Sequence, residues 1–227
     1  MSRSLEPRRQ NSIPDFLWTD DEPLVERRVV EHPRSASSRT IPGEVGLWVF
    51  VLGDMSVFGL FFLVFMVEGR RNPELFAAGA GSLVQAMGFA NTLVLLFSSW
   101  LVVLAVHAHR LERHALALRE VAGALLCAVI FGIVKAFEYA HELEAGHRPS
   151  SDLFFTFYFV LTGIHLVHVI VGSGLLAGWV AKARARRPWN LSRRYVEAAA
   201  VYWHMVDLLW VVIFTLVYLV HVPQVRP

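Results

Sequence analysis

Apolar residues in this chain fall into five long blocks, Val45–Val67, Gly81–Val106, Leu116–Tyr139, Leu153–Val180 and Val196–Val220. Each is long enough to supply the about 20 residues that take an α-helix across a hydrocarbon core. None alternates apolar and polar with the period of two that a barrel strand requires. Lipid offers backbone amides no partner, so each block is expected to satisfy its hydrogen bonds internally, as a spanning helix. The third block is the most interrupted, by Arg119, Glu120, Lys135 and Glu138. A chain of 227 residues has too little other material to bury five such helices in a water-soluble core. The pattern therefore predicts an all-α, polytopic membrane protein with five transmembrane helices in a bundle over residues 44–222.

Residues 1–43 break the pattern. They hold seven Arg, seven acidic residues and Pro7, Pro14, Pro23, Pro33 and Pro42, with no apolar core of a signal peptide. They read as a polar, disordered cytoplasmic tail; 223–227 reads as a short C-terminal tail. Basic residues lie unevenly around the blocks. The tail, the segment holding Arg110, Arg113 and Arg119, and the segment from Lys182 to Arg194 are rich in them; Arg70, Arg71, Arg148 and Arg226 are the few on the opposite side. The positive-inside bias then predicts a cytoplasmic N-terminus and a periplasmic C-terminus in a bacterial inner membrane, and the basic 182–194 segment can also touch anionic headgroups. A net charge of +2 argues against a broad nucleic-acid-binding face. The single cysteine, Cys127, excludes a disulfide scaffold and reads as a small buried residue.

Ionisable groups inside a membrane are costly and normally face protein or a water-filled cavity. Asp54 lies near the middle of the first block. Lys135 and Glu138, three apart on the third, share a helix face and can pair. His165 and His168 are three apart on the fourth. On the fifth, Glu197, His204 and Asp207 fall within an arc of about 80° at about 100° per residue. Four roles fit these residues: hydrogen-bonding glue between helices; a proton relay, since desolvated carboxyls and imidazoles can hold protons near neutrality; haem or metal ligation by His165, His168 or His204; and a path in a proton-coupled transporter, although neither broken helices nor paired halves are evident. The sequence contains no Walker A loop, nucleophile elbow, H-E-x-x-H or C-x-x-C-H.

Other features read as packing. Gly174 and Gly178 form a G-x-x-x-G step, with Gly172 and Ser173 extending the small surface, so a second helix is expected to approach there. Gly163 belongs to the same helix. Trp48, Trp179 and Trp189 lie near block ends and suit an interfacial belt, whereas Trp203 and Trp210 lie deeper and read as core. His107, His109 and His114 beside Arg110 and Arg113 read as a solvated basic turn.

Motifs in all five blocks, in order, resemble those of subunit III of the haem-copper oxidases. Gly46-Leu47-Trp48-Val49-Phe50, Gly53-Asp54, Phe58 and Phe61-Phe62 resemble the family's first matching helix, which has a mid-helix carboxylate. Asn91-Thr92-Leu93-Val94-Leu95-Leu96 with Ser98-Ser99 resembles N-T-x-x-L-L-x-S-S, and Glu138-Tyr139 the family's E-Y. Thr162-Gly163-Ile164-His165-Leu166-Val167-His168-Val169 with Gly172 is similar to T-G-x-H-x-x-H-V-x-x-G. Tyr202-Trp203-His204-Met205-Val206-Asp207 with Trp210, preceded by Glu197, is similar to Y-W-H-F-V-D-x-x-W.

The resemblance implies a five-helix form, matching the last five of the seven helices of full-length members. It implies a non-catalytic subunit that packs against catalytic subunit I and membrane lipids and supports proton uptake. Such a subunit binds no cofactor itself; haem and copper, or non-haem iron, are expected on partner subunits. Asp54 stands where oxidase members usually have Glu, and Lys135 where they have a neutral residue. With Pro42-Gly43-Glu44 and the five-helix length, these look more like the branch associated with bacterial nitric oxide reductase. Asp54, Lys135, Glu138, His165, His168, Glu197, His204 and Asp207 then become packing and proton-handling positions, with Gly163, Gly172, Gly174, Gly178, Trp203 and Trp210 in the helix contacts. The competing functions are a free-standing membrane haem b electron carrier and a small proton-coupled transporter.

Overall fold

A computed structural model describes residues 45–185 and 192–220; the two expected tails, Trp189 and the Pro42-Gly43-Glu44 motif lie outside them. The described residues are all helical apart from short turns. Helix α1 spans Val45–Arg71, α2 Pro73–Ser82, α3 Gln85–Arg110, α4 His114–Glu144, α5 Leu153–Ala185 and α6 Arg193–Phe214, and a π-helical turn, Thr215–Leu219, continues α6. Five helical stretches are long and apolar enough to cross a membrane, beginning at Gly46, Gln85, His114, Leu153 and Arg193.

The second span begins at Gln85 rather than Gly81, because Gly81 belongs to α2. Asn72 and Pro73 end α1 and start α2; proline suits a first helical position, where no donor is lost to the helix. Helix α2 folds back through aromatic contacts. Phe76 meets Phe65 of α1 at 5.1 Å and Phe154 of α5 at 5.6 Å, both edge-to-face. Gly79 permits this approach, since a Cβ there would lie 2.2 Å from Phe154 Cδ1.

Helix α6 is central. It packs against α1, α3 and α5, and 61% of its apolar span is buried inside the protein, against 17% for α1. Buried indoles need partners for their N–H groups. Trp203 Nε1 donates to Ser98 Oγ at 3.1 Å, and Trp210 Nε1 to Thr92 Oγ1 at 3.1 Å. Both bonds cross from α6 to α3. Helices α3 and α4 form the most extensive pair in the bundle. Val49, Leu52, Leu60 and Leu63 of α1 face outward, an exposure that lipid, unlike water, does not penalise.

Two helix ends use the same backbone device. After α4, His147 N–H donates to Glu142 O at 2.9 Å and Gly146 N–H to Leu143 O at 3.1 Å, with Gly146 at φ +89°. After α3, Arg113 N–H donates to Ala108 O at 2.9 Å and Glu112 N–H to His109 O at 3.1 Å. This is the Schellman pattern, whose left-handed residue is normally glycine. At the α3 end that residue is Glu112, at φ +58°. A side chain in that conformation costs about 1–2 kcal/mol. Glu112→Gly is therefore expected to stabilise the bundle by about 0.5–1 kcal/mol, after the extra unfolded-state entropy of glycine is deducted. Unfolding in mixed micelles checks this.

Candidate functional site

Helix α4 carries a charged pair at membrane depth. Lys135 and Glu138 are 1% and 0% exposed, and Lys135 Nζ lies 3.3 Å from Glu138 Oε1. Spacing of three residues puts them on one face, and three other elements enclose them. Lys135 Nζ donates to Tyr158 Oη of α5 at 3.3 Å and to Tyr218 Oη of the π turn at 3.1 Å. Tyr158 donates its hydroxyl proton to Glu138 Oε1 at 2.7 Å, and Tyr218 Oη bonds the same oxygen. An ammonium has three donors and no acceptor, and here it meets three oxygens. Aromatic faces close the cage, with the Tyr139, Tyr158, Trp210 and Tyr218 centroids 5.0, 4.9, 5.3 and 5.8 Å from Nζ. Cation–π attraction is strongest where water is excluded.

A second pair joins α1 to α5. Asp54 Oδ2 lies 3.3 Å from His168 Nε2. His168 Nδ1 is 2.8 Å from Ile164 O. A carbonyl only accepts, so Nδ1 carries a proton and Nε2 is left to face the carboxyl group. The edge of Phe58 covers the imidazole, with centroids 5.3 Å apart.

The polar stripe of α6 faces α3. Ser99 Oγ is 2.7 Å from His204 Nδ1. Arg110 Nη2 donates to Glu197 Oε1 at 3.1 Å, and Arg193 Nε lies 3.9 Å from the same oxygen. A cleft of about 330 Å³ between the two helices exposes His107, Arg110, Glu197 and His204. Asp207 is 4% exposed; Ser99 is the polar neighbour of its carboxyl group, but no hydrogen bond of good geometry reaches either oxygen among the described residues.

The sequence-predicted residues thus occupy three places rather than one: the α4 cage, the α1–α5 pair and the α3–α6 seam. His165 joins none of them by hydrogen bond. It is fully buried between Phe131 and Trp210, at 5.7 and 5.2 Å. Among the described residues, no three His, Cys, Asp or Glu side chains gather where a metal could be held.

The packing expectations need correction. Gly172 admits Trp203, whose Cε3 would stand 2.8 Å from an added Cβ, and Gly178 admits the Tyr195 hydroxyl. Gly163 and Gly174 meet nothing within 4 Å. Within this chain the G-x-x-x-G step brings no second helix onto both glycines: Gly178 receives the Tyr195 hydroxyl and Gly174 faces outward. Trp179 is 1% exposed and packs against His109, so it is a core residue rather than an interfacial one.

Several polar groups carried no flag in the sequence. Tyr158 and Tyr218 are recruited from distant helices. Glu142 and His147 lie beyond the point where apolarity fades. His147 Nδ1 is 2.8 Å from Glu142 Oε2, and its ring stacks on Phe155 at 4.1 Å.

Fold and site together define a five-span helical membrane protein whose buried chemistry is that of carboxylates, imidazoles, phenols and one ammonium. The sequence model of the cytochrome c oxidase subunit III family matches residues 41–222, and the chain belongs to that family. It is a non-catalytic, subunit III-type protein of the haem-copper oxidases. Its relatives include the probable quinol oxidase subunit 3 of Staphylococcus aureus (strain USA300), 29% identical over 193 residues, covering 81% of this chain and 92% of the relative. That of Staphylococcus haemolyticus (strain JCSC1435) is 27% identical over 198 residues, covering 82% and 94%.

Proposed function

We propose that this chain packs against the catalytic subunit I of a terminal oxidase in a bacterial inner membrane and supports its proton uptake, the redox chemistry and its metals residing on that partner. Family membership supports the complex, and the names of the relatives favour a quinol oxidase. The charge bias around the spans favours a cytoplasmic N-terminus and a periplasmic C-terminus. A partner that reduces nitric oxide is the second reading, favoured by the caged Lys135 and by Asp54. The identity of the co-purifying catalytic subunit separates the two.

The observation that carries proton handling is the Asp54–His168 contact. With Nδ1 committed to Ile164 O, Nε2 faces Asp54 Oδ2 at 3.3 Å, an approach that a proton shared between them would make attractive. That proton makes the pair either an imidazolium with a carboxylate or an imidazole with a carboxylic acid. Either way the two groups would share one proton with no net charge. Asp54→Asn keeps the shape of the side chain and removes the acid that shares it. The expected result is normal co-purification of the catalytic subunit, with oxidase turnover that fails several-fold sooner or has a displaced pH profile. Unchanged activity, lifetime and pH profile would reduce Asp54 to a packing residue.

A further inference from the structure

The interior acids do not end at the cage. Glu138 and Glu142 are 0% and 1% exposed and sit one turn apart on α4, a separation of about 6 Å along the axis. Each has one carboxyl oxygen engaged: Glu138 Oε1 by the cage, and Glu142 Oε2 by His147. Each has one that no described protein group reaches, Glu138 Oε2 and Glu142 Oε1. Carboxylate oxygens only accept, and leaving two of them dry in a low-dielectric interior is expensive. A water molecule brings two donors, one for each. His147 stands at the outer end with a third of its side chain exposed, and the Schellman turn at Gly146 holds it there.

We propose that Glu138 and Glu142 bind a buried water between them, and that this water, with His147 at the mouth, forms a proton-exchange branch from the Lys135 cage to the aqueous phase beyond the α4–α5 turn. This goes beyond the proton shared at Asp54 and does not depend on it. The titratable groups facing the branch are Lys135 and Tyr139 on α4, His147 from the turn, Tyr158 from α5 and Tyr218 from the π turn.

In the transfer, His147 imidazolium gives its Nδ1 proton to Glu142 Oε2. Glu142 rotates and passes a proton from its carboxyl group to the water, and the water gives one of its own to Glu138 Oε2. Neutral imidazole and carboxylic acid replace imidazolium and carboxylate; Glu142 and the water are regenerated. The Lys135 ammonium, left with less counter-charge, remains held by two phenol oxygens and four aromatic faces. The neutral His147 ring, still bearing its Nε2 proton, swings off Phe155, takes a fresh proton from solution at Nδ1 and returns.

Infrared spectroscopy of the full chain in lipid nanodiscs after a rapid pH jump tests the branch. The probe is the carboxylic-acid carbonyl band that Glu138→Gln abolishes. Glu142→Gln and His147→Gln are each expected to slow the rise of that band by roughly a hundred-fold, in keeping with the loss of a positioned proton carrier, while its final height is kept. Equal rates in all three proteins, or no Glu138-dependent band, would overturn the proposal. A high-resolution reconstruction of the wild-type complex gives a test free of folding effects. Density for a water bridging Glu138 and Glu142 is expected, and dry apolar packing between them would be contrary.

Discussion

Lys135→Met is expected to destabilise the bundle by about 3–5 kcal/mol, the usual range for removing one partner of a buried ion pair. The cost lies in what is left behind. Glu138 would stay fully buried without its ammonium, with the Tyr158 and Tyr218 hydroxyls beside it, and would have to hold an uncompensated charge or take up a proton at a cost in stability. Glu138→Leu leaves the ammonium inside its aromatic cage with no carboxylate, and a loss of similar size is expected. Lys135→Met combined with Glu138→Leu removes both charges and should recover most of either loss, because an apolar pair of similar volume carries no desolvation penalty. Reversible unfolding by SDS titration in mixed micelles measures the cycle. Additive losses would mean that the two charges do not interact.

The second large effect concerns a residue without chemistry. Gly79→Ala places a methyl group 2.2 Å from Phe154 Cδ1 and 2.6 Å from Cγ. Phe154 cannot yield cheaply, because it is fully buried against Phe65, Phe76 and Phe155. Overpacking of this kind costs about 1–3 kcal/mol, and here it should detach α2 from α5. Phe154→Leu in the same chain should restore part of the loss. Gly172→Ala is expected to behave similarly against Trp203. Gly163→Ala and Gly174→Ala face open space, and a helix gains up to about 1 kcal/mol from alanine over glycine. The same assay reads all four variants, and an equal response at every position would contradict the packing described.

The five spans were legible because apolar length is a sufficient signal in a bilayer, where the backbone admits few other solutions. The short helix α2 was not: Arg70, Arg71, Asn72 and Pro73 mark a turn after the first block, but Phe76, Ala77, Ala78, Gly79 and Ala80 carry no pattern that separates a short helix folding back from a connecting loop. Pairing within one helix could be read directly: Lys135 and Glu138 meet because three residues make most of a turn. Pairing between helices could not. Nothing in the sequence ties Asp54 to His168, His204 to Ser99, or Glu138 to Tyr218, which depends on the π turn after α6 for its place. Glycine spacing did not show which neighbour each glycine meets: inside this chain Gly172 and Gly178 receive aromatic side chains, while Gly174 faces outward. Glu142 and His147 passed unnoticed because they follow Tyr139, where the apolar block ends and charged side chains look like a solvated helix end.

The most direct test is affinity purification of the tagged full chain from its native membranes, followed by visible absorption spectra of the eluate and of the chain after separation in mild detergent. A haem-bearing catalytic subunit is expected in the eluate, with oxidase activity, and the haem should leave with that subunit on separation. A chain that elutes alone, or one that keeps a Soret band in near-equal amount to itself, would contradict a non-catalytic subunit whose buried acids and imidazoles serve packing and protons.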